Sequence, residues 1–232
     1  MGEFQLKIRR LAPLACLAAG ASPAHAGAWS LPEGVQQWFA TISRERGDFG
    51  EAWRADDFSE FGLGDGWGVN IKLESEIRIG STYDDKSGVR LGVQKAFGLG
   101  DRGSIAIQAS VLAGESLDGI ECLGEGYEVR AALGTSFQLW GREGFVNAES
   151  GHRVRGGCER TVTELAAGLN FAPDWNFTLK VWNEGGGEAG VTKLETSVMR
   201  DIWGVGVGVG WREEISGNFE EKGWVLNARV RF

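Results

Sequence analysis

Acidic and basic side chains recur at every second position along this chain. Between residues 67 and 79, Lys72, Glu74, Glu76 and Arg78 alternate with Ile71, Leu73, Ser75, Ile77 and Ile79. Residues two apart share one face of an extended strand, so this spacing gathers both signs of charge on a single surface. The same face parity collects Arg90, Glu128, Arg130, Glu149, Glu164, Lys180, Lys193, Glu195, Arg229 and Arg231. The chemistry open to such a set is ionic. It lines a wet pathway for small solutes, or opposite charges pair across a narrow lumen and plug it.

Other chemistries find little support. Ser150-Gly-His152 is the only candidate nucleophile and base pair. A serine needs an adjacent base, and the base needs an orienting third group. Glu164 falls on the opposite strand face, so no catalytic residue is assigned and the chain does not read as an enzyme. No metal site or cofactor is expected: beyond residue 26 there is one histidine and no C-x-x-C. Cys122 and Cys158 form an even pair in an exported chain and are expected to be disulfide-bonded. Closing a loop of that length is worth about 3–4 kcal/mol in the chain-entropy model.

The elements that must position these residues are strands. Period-2 alternation predicts twelve, at 35–45, 58–64, 67–79, 89–97, 104–113, 127–139, 145–154, 161–171, 175–183, 191–199, 202–212 and 223–232. The charged stretch 46–57 is expected to be a loop, which leaves the second strand short and ten strands as the alternative count. Expected short turns include Asp65-Gly66, Gly141-Arg-Glu-Gly144, Ala172-Pro-Asp-Trp175 and Arg200-Asp201, and the alternate connections are expected to be longer. Trp67, Phe97, Trp140, Trp175, Trp203 and Phe232 gather at one set of strand ends, with Tyr127, Trp211 and Trp224 at the other. Two aromatic girdles bracketing apolar rows are what lipid on the outside requires; a soluble sheet would put bulk at the middle of its core face. In 202–212, Gly204, Gly206, Gly208 and Gly210 leave a wall without side chains, expected to be a lane for solute or a groove for a bulky residue or for segment 27–34.

The termini agree. Lys7, Arg9 and Arg10 precede the short apolar run 11–17, and Ala24-His25-Ala26 is an A-x-A cleavage pattern, so residues 1–26 are expected to be a cleaved signal peptide and 27–232 a single domain. The whole chain carries −8. Residues 1–26 hold three basic residues and one acidic, so their removal leaves −10, which argues against nucleic-acid binding. The last strand has Trp224, Leu226, Ala228, Val230 and Phe232 on its apolar face and ends on that Phe, the expected signal to the barrel-assembly machinery. The fold class expected is therefore all-β, a transmembrane antiparallel up-and-down barrel in the bacterial outer membrane, with membrane lipid as its surroundings.

The stretch Ala28-Trp-Ser-Leu-Pro-Glu-Gly34, the segment 145–157, the turn at 172–175 and the terminal Arg231-Phe232 carry a resemblance. Together they make the chain similar to small proteobacterial outer-membrane β-barrels of unassigned function, and loosely to transporter-type outer-membrane barrels. That resemblance supplies no functional residues. The expected function is passive transport of small solutes, with a structural or surface-attachment barrel of closed lumen as the alternative. A lipid hydrolase is the second alternative, although barrels of that kind carry H-x-S rather than S-x-H.

Overall fold

A computed structural model describes residues 28–48, 50–80, 85–115, 124–186 and 189–232. Twelve strands run in chain order: β1 (Gln36–Gly47), β2 (Gly50–Gly64), β3 (Trp67–Ile79), β4 (Lys86–Leu99), β5 (Gly103–Gly114), β6 (Gly126–Leu139), β7 (Arg142–Arg155), β8 (Cys158–Ala172), β9 (Trp175–Gly186), β10 (Ala189–Ile202), β11 (Val205–Ser216) and β12 (Lys222–Arg231). Each pairs antiparallel with its sequence neighbours. β1 and β12 close the ring, with Trp38 opposite Val230 and Arg46 opposite Lys222. Closure leaves no unpaired edge, the condition for a sheet to sit in hydrocarbon. The expected residues 1–26 and Cys122 lie outside the described residues.

The chemistry of inside and outside is inverted relative to a water-soluble protein. Among the described residues, twenty-one buried residues are polar or charged and twelve are apolar. Lys193, Glu45, Glu76 and Glu128 rank among the largest fully buried side chains, whereas Ile77, Ile107, Val111, Leu133 and Leu226 stand exposed on the outer wall. Burying charge while exposing aliphatic surface is stable only where the outer solvent is apolar. Aromatics mark both rims. Trp140 and Trp203 stand almost fully exposed at one end. There too, Lys95 Nζ lies 5.0 Å from the centroid of the Trp67 ring, a cation leaning on an interfacial aromatic. At the other end Trp211 and Trp224 pack edge to face at 5.2 Å.

Both termini of the barrel wall lie at one end, here the terminal end; the opposite end is the loop end. Connections at the terminal end are tight. Asp65-Gly66, Trp140-Gly141 and Trp203-Gly204 each place two successive residues at positive φ. That is the signature of two-residue hairpins whose twist matches the flanking strands. Two expected turns therefore move: the chain reverses at 140–141 rather than 141–144, and at 203–204 rather than 200–201. Three of the six loop-end connections, β3 to β4, β5 to β6 and β11 to β12, follow the expected rule of greater length, and three do not. Those at 48–49, 156–157 and 187–188 are only two residues, because β1, β2, β7, β8, β9 and β10 all run further than the alternation suggested.

The largest correction is β2. The stretch 46–57, expected to be a loop, is mostly strand, and β2 is fifteen residues long rather than seven. Its midpoint carries the reason. Asp57 points to the outer wall with Trp53, Ala55 and Phe61, and so breaks the apolar row that a sequence reading looks for. There it accepts a hydrogen bond of 2.7 Å from the Trp38 indole on β1. A carboxyl group facing lipid is costly, and the indole satisfies one of its oxygens.

Candidate functional site

The lumen is filled in three tiers. At the terminal end, residues 28–35 form a strap that enters the barrel ahead of β1. The Gly34 N–H donates to the Gly62 carbonyl at 3.0 Å, and the Gly62 N–H donates to the Val35 carbonyl at 2.9 Å, tying one end to β2. The other end reaches β4 to β7. The Ala28 N–H donates to Asn147 Oδ1 at 3.2 Å, Gln94 Nε2 donates to the Trp29 carbonyl at 3.1 Å, and the Ser104 hydroxyl donates to the Ala28 carbonyl. Small inward residues make the berth: Ala28, Ala106 and Ala132 are buried together, with Trp29 and Ala96 against them. A Cβ built on Gly134 would stand 2.3 Å from the Trp29 ring, so glycine is required there for the indole to lie flat on the wall.

The loop-end half holds ion pairs in two clusters. Around Glu45 on β1, Arg54 lies at 3.4 Å, Lys193 at 3.4 Å and Arg212 at 2.8 Å. Arg54 also pairs with Glu76 and Glu221, Lys193 with Glu221, Arg212 with Glu195, and Arg78 with Glu76. Around Glu128 on β6, Arg90 lies at 3.0 Å and Arg153 at 2.7 Å, with Arg130 also bound. Arg130 continues to Glu149 and Arg153 to Glu184. The carboxylates at both centres are sealed into the wall, while the guanidinium groups around Glu128 reach further inward: the Glu128 side chain is 0 % exposed and those of Arg90 and Arg130 are 11 %.

Between strap and ion pairs lies a cavity of about 190 Å³. Of the sequence candidates, Lys72, Glu74, Arg90, Arg130, Glu149, Glu164 and Lys180 line it. Glu76, Glu128, Lys193 and Glu195 are buried behind that surface. Arg229 is held at the terminal end by Asp201 at 2.9 Å, and Arg231 stands exposed at the terminal rim. Phe232 extends the β1–β12 seam with two backbone hydrogen bonds to Gln36 and is largely exposed.

Several lining residues escaped the sequence reading. Arg54 and Asp56 sat in the stretch read as loop, and Glu184 in a loop that is strand. Arg153 and Arg212 lay within predicted strands, and their parity was the signal that would have found them. Phe39, Phe58 and Trp182 are inward-facing aromatics, concealed because aromatic residues were sought on the outer wall. The glycine row of β11 is not an open lane. Met199 of β10 lies over it, its Sδ 2.7 Å from a Cβ built on Gly206, and the strap berths on the other side of the barrel.

Ser150 and His152 both face outward on β7, opposite Thr163 and Thr161 of β8. Glu149 and Glu164 face the lumen, away from both side chains.

The architecture defined by this ring, its apolar outer wall and its charged interior is that of an outer-membrane β-barrel. Solved structures agree. The KdgM porin superposes with a TM-score of 0.59 over 84 % of this chain and 99 % of its own, at 9 % identity. An outer-membrane channel from Pseudomonas putida F1 gives 0.60 over 91 % and 98 %, at 12 % identity. The β domain of the Bordetella autotransporter BrkA gives 0.54 over 86 % and 99 %, at 11 % identity. No protein-family profile and no curated protein sequence matches the chain.

Proposed function

We propose that this barrel is an outer-membrane passage for small solutes whose terminal, periplasmic end is held closed by the strap. The observation that carries the reading is the lumenal cavity lined by charges of both signs. A barrel that served only as a wall would gain nothing from keeping ionisable side chains around open volume, since desolvated charge is costly. Fold alone does not decide the matter, because channels and an autotransporter domain share this architecture. Twelve strands give a lumen between the packed eight-strand type and the open sixteen-strand porins, so side chains and strap set its bore. The alternative, a closed structural or surface-attachment barrel, is favoured by ion pairs that join β1 and β2 to β10 and β11 through the interior. Planar-bilayer recording of the refolded protein separates the two. Steady unitary current steps are expected, and a silent bilayer containing inserted, heat-modifiable protein would establish the closed barrel.

The same reading includes export with cleavage after Ala26 and a bridge between Cys122 and Cys158. Intact-mass measurement of protein purified from outer membranes checks both. The expected value is the mass of residues 27–232 less two hydrogens. A retained leader, or the full complement of thiol hydrogens, would remove the corresponding part.

A further inference from the structure

The cavity has two kinds of wall. Phe39 and Phe58 oppose each other directly across β1 and β2. With Val162 and Trp182 they bring apolar surface into an otherwise polar lumen. The remaining wall is polar, with seven cationic side chains and five carboxylates on its surface and Glu45, Glu76, Glu128 and Glu195 paired behind the arginines. Most of those charges are committed to one another. Lys180 is held more loosely: Glu195 stands directly across from it on β10, but among the described residues it makes no ion pair within 4 Å, and its Nζ rests 5.0 Å from the centroid of the Trp182 ring. Arg212 lies over the same ring at 5.0 Å but is held by carboxylates on both sides.

We propose that this cavity binds an amphipathic monoanion, a carboxylate on an apolar body about the size of one ring. Lys180 receives the carboxylate, and Phe39 and Phe58 receive the body. The size follows from the volume: about 190 Å³ is somewhat larger than the roughly 150 Å³ apolar cavity that admits benzene. The sign follows from Lys180, the lining cation without a carboxylate within 4 Å among the described residues. A single charge is preferred because Glu164, directly across from Trp182 on β8, meets any second negative group. The proposal rests on the lumen being solute-accessible, and it deepens the passage reading by naming what enters.

Calorimetric titration of the folded protein in detergent, with micelle blanks, tests it using benzoate, acetate and benzylammonium at neutral pH. Benzoate is expected to bind at least about tenfold more tightly than either of the others, the scale of one charge-assisted hydrogen bond. Lys180→Met, which keeps the stem and removes the charge, is expected to weaken benzoate by about the same factor. Benzylammonium binding as well as benzoate, benzoate no better than acetate, or an unchanged affinity in Lys180→Met would each overturn the site. The ligand comparison on the unaltered protein stands even where the variant fails to fold. Because calorimetry needs no current, the two readings fail separately. Conductance without benzoate selectivity removes the site alone; selective binding in a silent barrel removes the passage and leaves the site.

Discussion

Evicting the strap from the lumen is expected to raise unitary conductance several-fold. Two independent changes accomplish it. Deleting residues 28–34 removes the obstruction outright. Gly134→Val leaves the strap sequence intact and removes its berth, because the position of the first added carbon is already 2.3 Å from Trp29. Interior packing tolerates no such overlap, so the indole must leave or the wall must bend. The deletion gives up one backbone hydrogen bond to β2, from the Gly34 N–H to the Gly62 carbonyl, and Gly134→Val gives up none of the ladder. The strap's other hydrogen bonds, to Gln94, Ser104 and Asn147, are made to inward side chains. The barrel wall should therefore assemble, as judged by heat-modifiable mobility. Single-channel recording reads the effect, and agreement between deletion and Gly134→Val ties it to Trp29 leaving its berth. An unchanged conductance in the deletion would show that the ion pairs of the loop end, not the strap, set the bore.

The barrel was legible from the sequence because the outer solvent imposes one rule on every strand. Lipid permits only apolar side chains at mid-wall, so Ile71, Leu73 and Ile77 or Val205, Val207 and Val209 announce both the strand and its outward face. The rule failed at β2, where it is locally broken. Asp57 occupies an outward position that alternation reserves for apolar groups, and only the Trp38 indole, nineteen residues away, makes it tolerable. A reading of one strand at a time has no access to that partner. The losses at Arg54, Asp56 and Glu184 all descend from strand ends drawn too short. Loop-end strand extensions carry charge on both faces once they pass the headgroups, Arg44 and Glu51 outward and Glu45 and Arg54 inward, and charge on both faces looks like loop.

The interior was legible in kind but not in arrangement. Parity placed Lys72, Arg90, Glu128 and Glu149 inside, and the structure keeps them there. What parity cannot give is which carboxylate serves which cation. Glu45 meets Lys193 and Arg212 through the lumen, across 148 and 167 residues of chain, a pairing set by barrel closure rather than by spacing. The strap is similar. Its composition invites a role inside the barrel, but the berth at Ala106, Ala132 and Gly134 is assembled from two strands that neighbour it only after folding.

Glu128→Gln is expected to lower the unfolding free energy by about 3–5 kcal/mol, the cost of breaking a buried charge pair by removing one partner. The size of the effect follows from geometry. Three guanidinium groups converge on one carboxylate whose side chain is 0 % exposed, and only Arg130 and Arg153 have a second carboxylate to turn to. Arg90 has Glu128 as its one ion pair among the described residues. With the charge gone, Arg90, Arg130 and Arg153 repel one another in a region that water reaches poorly. Denaturant unfolding in lipid vesicles, followed by tryptophan emission and gel mobility, measures the loss. Two comparisons give the number its meaning. Glu51→Gln, at the exposed mouth where Arg44 and Arg46 stand in solvent, should leave the midpoint unchanged. Adding Arg90→Met to Glu128→Gln should recover part of the lost stability, because it removes the cation left most exposed to repulsion. A Glu128→Gln barrel as stable as its parent would mean that lumenal water screens these arginines well enough for the buried carboxylate to be dispensable.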